Sequence, residues 1–192
     1  MIRGSVIVFL SSVALAFHGP NTYAQVSSKK DLSTAKRGQA MTELEILSSV
    51  EEIRRLKAAY FRCMDTKAWE ELRTLFTESA VFDVRGALEM PKPESAYASE
   101  PVMKGSSEIV THLSTALASI ISVHHGNTPE IEILSATHAK GTWAMSDMLI
   151  PRDGKPFRKF QGYGHYHDTF TRENGRWQIQ SLVLRRLYVE MV

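Results

Sequence analysis

Histidine, aspartate and tyrosine carry most of the acid–base potential of this 192-residue chain, which has seven histidines and one cysteine. His124 and His125 are adjacent in a segment of strand character, so their side chains point to opposite faces and only one can enter a cavity. His165 and His167 are two apart and share a face, the geometry of a metal pair. No third ligand follows at diagnostic spacing and no His-Glu-x-x-His occurs, so no metal is expected. Gly162-Tyr163-Gly164 lies inside a strand with no helix behind it; it is read as a bend and not as a dinucleotide fingerprint. Gly-x-Ser-x-Gly is absent, and no cofactor is expected. Cys63 lies on an apolar helical stripe and reads as packing.

Two further residues have both a structural and a chemical reading. Asp65 sits where one helix gives way to the next, and it can simply cap the second helix. A carboxylate held ionised there can also accept the proton on one ring nitrogen of a histidine and leave the other nitrogen as a base. Tyr60 shares a stripe with Ile53 and Leu56, which favours core packing, but a buried hydroxyl needs a partner. On an ideal helix Tyr60 and Asp65 point about 140° apart, so they converge only if the helix ends before Asp65. Asp147 is a polar residue on the strand of Trp143 and can face inward with it.

The elements that must position these groups follow from periodicity. Thr42-x-x-Glu45 and Ser49-x-x-Glu52 both have the form of a capping box, and Ile53, Leu56, Tyr60, Cys63 and Met64 continue at helical spacing to about Met64. Asp65-Thr66 interrupts, and a second helix carries Trp69, Leu72, Leu75 and Phe76. Residues 80–84 form a short strand. Residues 86–105 hold three prolines and read as a flap or insertion. Ser107 caps a third helix bearing Ile109, Leu113, Leu117 and Ile120. From Ser122 the period becomes two, with strands over 122–126, 130–135, 138–150, 157–172 and 176–190, and with hairpin turns at 151–156 and at Asn174-Gly175. Three helices before an antiparallel meander predict an α+β domain over 42–192. Its helices pack in the concave face of a strongly curved, mostly antiparallel sheet, a cone-shaped α+β barrel with a cavity between the layers.

Composition narrows the setting. A net charge of +2 makes no electrostatic case for nucleic acid, and one cysteine excludes an internal disulfide framework or a Cys-based zinc site. Arg3, the apolar run 4–17 and the small residues ending at Ala24 form the pattern of a secretory signal peptide over 1–24. The expectation is cleavage after Ala24, export to the periplasm or medium, and no membrane association afterwards. Residues 25–41 read as a flexible polar leader. Leu182, Val183 and Leu184 make both faces of the last strand apolar, so a homodimer or homotrimer through the sheet is expected.

Four segments together resemble a SnoaL-like domain of the nuclear transport factor two-like superfamily: AAYFRCMDTKAWEELRTLF, VHHGNTPEIEI, THAKGTWAMSDML, and GYGHYHDTFTRENGRWQI with SLVLRRLYV. They cover most of 45–190. The resemblance is nearest to the scytalone dehydratase and bile-acid dehydratase-like branch. There an Asp past the first helix pairs with a His on an early strand, and a Tyr one turn earlier completes the site. The matching positions are Asp65, His124 and Tyr60. A family arginine falls at Arg186, with Arg185 beside it. The Pro-rich segment and the His124-His125 doublet depart from the pattern. The resemblance implies cofactor-independent lyase or isomerase chemistry on a small hydrophobic carbonyl compound. Arg186, His165, Trp143, Trp69 and His125 are the candidate substrate contacts. The alternative is a non-catalytic ligand-binding or assembly module of the same fold.

Overall fold

The computed structural model describes residues 40–85, 87 and 102–192. The signal peptide, nearly all of the leader and most of the 86–105 flap lie outside these residues.

The first helix, α1 (Glu43–Thr66), begins at the first of the two capping boxes: Thr42 accepts from the Glu45 amide, and the Glu45 carboxylate accepts from the Thr42 amide. Ser49, in the second box motif, is buried inside the helix instead. The helix runs through Asp65 and Thr66 and stops at Lys67, whose left-handed backbone (φ 62°) closes it with a bond from the Ala68 amide to the Cys63 carbonyl. The expected break at Asp65 is therefore displaced by two residues. Asp65 does not cap α2 (Trp69–Thr74), whose cap position is Ala68. Likewise α3 (Ser106–Ala116) starts from Gly105 at φ 90°, a backbone conformation that favours glycine, and Ser107 lies within the helix.

The strands are β1 (Phe76–Asp83), β2 (Met103–Lys104), β3 (Ile120–Ile133), β4 (His138–Pro151), β5 (Phe160–Glu173) and β6 (Arg176–Met191). They form one sheet in the order β2-β1-β6-β5-β4-β3. All neighbours are antiparallel except β1 with β6, so the sheet is mixed, and it remains open with β2 and β3 at its edges. The α+β class and the N-terminal helices against one face agree with the sequence reading. The two short strands expected over 122–135 are one strand, irregular between Asn127 and Glu130 where Thr128 adopts φ 35°.

The core lies between α1, α3 and the inner face of the sheet. Ile53, Leu56, Tyr60 and Met64 from α1 meet Trp143, Met145 and Leu149 from β4, Phe160, Tyr166 and Phe170 from β5, and Ile179, Leu182 and Leu184 from β6. β6 reaches this face through two bulges. Ile179 pairs with Phe170 and Ser181 with Thr169, leaving Gln180 as an extra residue; Arg186 pairs with Gly164 and Tyr188 with Tyr163, leaving Leu187 extra. Each bulge reverses the inward–outward phase downstream. Trp177 and Ile179 are buried before the first bulge, Leu182, Leu184 and Arg186 after it, and Val189 after the second.

Candidate active site

A cavity of about 500 Å³ opens between α1, α3 and the inner sheet. Its apolar wall includes Met64, Phe82, Leu113, Leu149, Phe157 and Leu184, and its polar groups are Tyr60, His112, His124, Asp147, Tyr166 and Arg186. A few convergent polar groups in an apolar hollow are the composition of a small-molecule site. A larger polar hollow of about 640 Å³, along Glu130, Lys140, Thr142 and His167, holds none of these groups.

His124 is held by one carboxylate at two points. Asp65 Oδ2 accepts from the His124 amide at 2.9 Å, and Asp65 Oδ1 lies 2.6 Å from His124 Nδ1. Ser122, two residues earlier on the same face of β3, donates its hydroxyl to Asp65 Oδ1 at 3.0 Å. Burial alone would push the Asp65 carboxyl up. The hydrogen bonds from the His124 ring and amide, the charge interaction with His124 and the Ser122 hydroxyl outweigh it and hold the group below the usual carboxylate range. An ionised carboxylate accepts only, so Nδ1 carries a proton toward Asp65, and Nε2 is the acceptor whenever the imidazole is neutral. Nε2 lies 4.0 Å from Oδ2 of Asp147, its cross-strand neighbour on β4.

Asp147 is itself held by an arginine. Arg186 forks onto it with Nη1–Oδ1 at 2.8 Å and Nη2–Oδ2 at 2.7 Å, and both side chains are 4% exposed. The guanidinium also donates from Nε to the Ala87 carbonyl and lies over the Phe160 ring. Gly162 makes the space for this pair: a Cβ there would lie 2.5 Å from Asp147 Oδ1 and closer still to Arg186 Nη1. Steric room, rather than strand bending alone, accounts for this glycine.

Tyr60 and Tyr166 form the third polar element, with ring centroids 6.1 Å apart and edge to face. Burial, followed by each other's nearness and that of the buried aspartates, raises the Tyr60 phenol well above its ordinary value; burial and Asp147 lead the upward push on Tyr166. Both remain protonated donors at neutral pH. Behind them, outside the cavity lining, Lys57 Nζ sits 3.9 Å from the Tyr166 centroid and 4.6 Å from the Tyr60 centroid, paired with Asp168 at 2.6 Å.

The structure thus brings His124, Tyr60 and Arg186 to one cavity, with Asp65 behind His124. It places the other sequence-derived substrate contacts elsewhere. His125 is exposed on the outer face because it is one residue out of phase with His124. His165 is half-buried on that outer face beside His167, one residue out of phase with buried Tyr166. Trp143 is buried against Phe170 and lines a separate cleft with Phe61 and Gly126. Trp69 lies past the end of α1, with Lys67 over its ring. These four are corrected to positions outside the cavity. Tyr166 and His112 were missed. Tyr166 was legible in the alternation of β5 with Phe160 and Phe170, whereas His112 depends on how α3 docks. Among the described residues no three His, Cys, Asp or Glu side chains gather as a metal site.

Comparison with known proteins places this architecture. A family profile described as a SnoaL-like domain matches residues 45–183. The chain belongs to the SnoaL-like family. Through it the chain is a member of the nuclear transport factor two-like superfamily. This SnoaL-like chain is 22% identical over 143 residues to "Probable cyclase FGR4" of Gibberella zeae strain PH-1, covering 73% of this chain and 92% of the relative. A solved structure from Novosphingobium aromaticivorans DSM 12444, named provisionally as a scytalone dehydratase, has a TM-score of 0.66 at 20% identity, covering 79% of this chain and 92% of that one. The hexachlorocyclohexane dehydrochlorinase LinA-type3 from Novosphingobium barchaimii LL02 has a TM-score of 0.64 at 16% identity, covering 79% and 94%. At these identities the structural likenesses speak for the fold of the SnoaL-like chain.

Proposed function

We propose that this protein is a cofactor-independent lyase or isomerase of dehydratase type, acting on a small hydrophobic carbonyl compound. The observation that carries the reading is His124: one ring nitrogen is anchored on Asp65 and the other faces an apolar cavity. Neutral Nε2 takes a proton α to the carbonyl. The C–H electron pair moves to the carbonyl oxygen as an enolate, which accepts hydrogen bonds from Tyr60 and Tyr166. The enolate collapses, the α,β double bond forms, and the β-hydroxyl leaves with the proton now on His124, so that water is lost overall. In the isomerase variant the same proton returns to a different carbon. The Arg186–Asp147 pair braces the cavity beside Nε2, and among the described residues two guanidinium N–H groups remain for a substrate oxygen. The apolar wall excludes water, which strengthens each of these interactions. The relatives named as a cyclase, a dehydratase and a dehydrochlorinase are compatible with this chemistry.

A thermal-shift screen of neutral polycyclic and aromatic hydroxy-ketones identifies ligands, since anything that binds only the folded state raises Tm. With a ligand that is turned over, His124→Ala is expected to lower kcat by ~10²–10⁴-fold with the fold intact, and Asp65→Asn nearly as much. His125→Ala, on the other face, should change kcat less than about twofold, well below what a general base contributes. Ligands that bind tightly and emerge unchanged would move the reading to a binding module, and normal turnover by His124→Ala would end it.

A further inference from the structure

Lys67 stands at the start of a hydrogen-bonded line that ends in the cavity. Its Nζ donates to Ser122 Oγ at 2.8 Å and to the Met64 carbonyl at 3.2 Å. Ser122, 4% exposed, donates its own hydroxyl hydrogen bond to Asp65 Oδ1, and Asp65 holds His124. The direction of this line is dictated by chemistry. An ammonium has no acceptor, so the Ser122 oxygen receives from Lys67 and its hydroxyl proton must go to Asp65. Lys67 is also the residue whose left-handed backbone, at φ 62°, ends α1.

We propose that Lys67 is a positioning residue for His124, acting through the Ser122 hydroxyl and the Asp65 carboxylate to hold the imidazole in one orientation and one tautomer. The catalytic consequence rests on the proposed function; the effect on the imidazole does not. Asp65 favours the imidazolium. Lys67 draws on the same carboxylate charge through Ser122 and opposes the imidazolium as a like charge. Removing the ammonium leaves more of the Asp65 charge to His124, which then takes up its second proton at higher pH and is less available as a base. Among the described residues, the other polar groups that line the cavity with His124 are Asp147 from β4, Arg186 from β6, Tyr60 from α1, Tyr166 from β5 and His112 from α3. All of them are unchanged by a substitution at Lys67. Arg152, just past β4, acts on Lys67 itself as a like charge.

The test is NMR titration of the His124 imidazole in the full chain, assigned by its loss in His124→Ala. Lys67→Met should raise the midpoint by about 0.5–1 pH unit, the scale of a partly screened neighbouring charge. Lys67→Arg should restore it to within about 0.2, because the cation is kept. Ser122→Ala, which leaves Lys67 on the Met64 carbonyl but removes the bridge, should move it in the same direction as Lys67→Met. Circular dichroism checks the fold; Met and Arg are unbranched like Lys, so they add little strain at φ 62°. An unchanged midpoint in Lys67→Met or in Ser122→Ala overturns the proposal, as does a shift in Lys67→Arg equal to that in Lys67→Met. Where a substrate is turned over, the acid limb of kcat should move in parallel with the midpoint. If the midpoint moves and no turnover is found for any ligand, the positioning role stands and the catalytic reading is the one that fails.

Discussion

Gly162→Ala is the smallest change that should dismantle the polar floor of the cavity. The new methyl would sit 2.5 Å from Asp147 Oδ1 and closer to Arg186 Nη1, where ordinary contact needs 3.4–4 Å. The backbone need not move, because the guanidinium is the end of a flexible side chain. It must, however, leave Asp147, with loss of two charge-assisted bonds of 2.8 and 2.7 Å between groups each 4% exposed. Removing one partner from such a buried pair costs about 3–5 kcal/mol, and a guanidinium that turns into the cavity recovers part of that by hydration. Alanine in a strand offsets about 0.5–1 kcal/mol relative to glycine. The net expectation is about 2–4 kcal/mol in urea unfolding, or roughly 5–15 °C in Tm for a domain of this size. The same substitution in an Asp147→Ala/Arg186→Ala background meets neither group and should cost under about 1 kcal/mol, so the coupling is read from the cycle. Wild-type stability in Gly162→Ala, or an equal loss in both backgrounds, would refute the assignment of this glycine to the ion pair.

Two further outcomes test the electrostatics elsewhere. Lys57→Met strands Asp168, whose carboxyl burial already pushes up and whose Oδ1 has no hydrogen-bond partner among the described residues; urea unfolding should show a loss of about 3–5 kcal/mol, partly recovered by adding Asp168→Asn, and full stability of the single variant would contradict the pair's role. Burial opposes the charge on Asp83, but Arg85 and Arg185 outweigh it and hold the carboxyl at about 2 against an ordinary 3.8. A carboxyl depressed on folding stabilises above its unfolded value and loses that contribution as pH falls through the folded one, so about 2 kcal/mol should disappear between pH 4 and 2. In Asp83→Asn, melting curves over that window should flatten relative to wild type.

Local pattern determined a good deal of this protein. The capping box at Thr42, the stripe from Ile53 to Met64, the Asn174-Gly175 turn and the alternation of β4 and β5 are short-range effects, and each stands in the structure near where the residues placed it. The Asp65, His124 and Tyr60 positions were reached through resemblance to a family, not through periodicity, which on an ideal helix sets Tyr60 and Asp65 far apart. They remain apart in the structure: Tyr60 lines the cavity while Asp65 stands behind His124, so the site needs no helix break at Asp65. Tertiary packing decided the rest. The choice between Arg185 and Arg186 depends on one extra residue, Gln180, bulged from β6, because a phase change of one residue turns every later side chain to the other face. The choice of His124 over His125 is likewise a matter of register, with His124 opposite Asp147 and His125 opposite Ser146. Local propensity carries no information about such a phase, since both alternatives are equally good strand. It is set only when α1 and the other strands compete for one buried face.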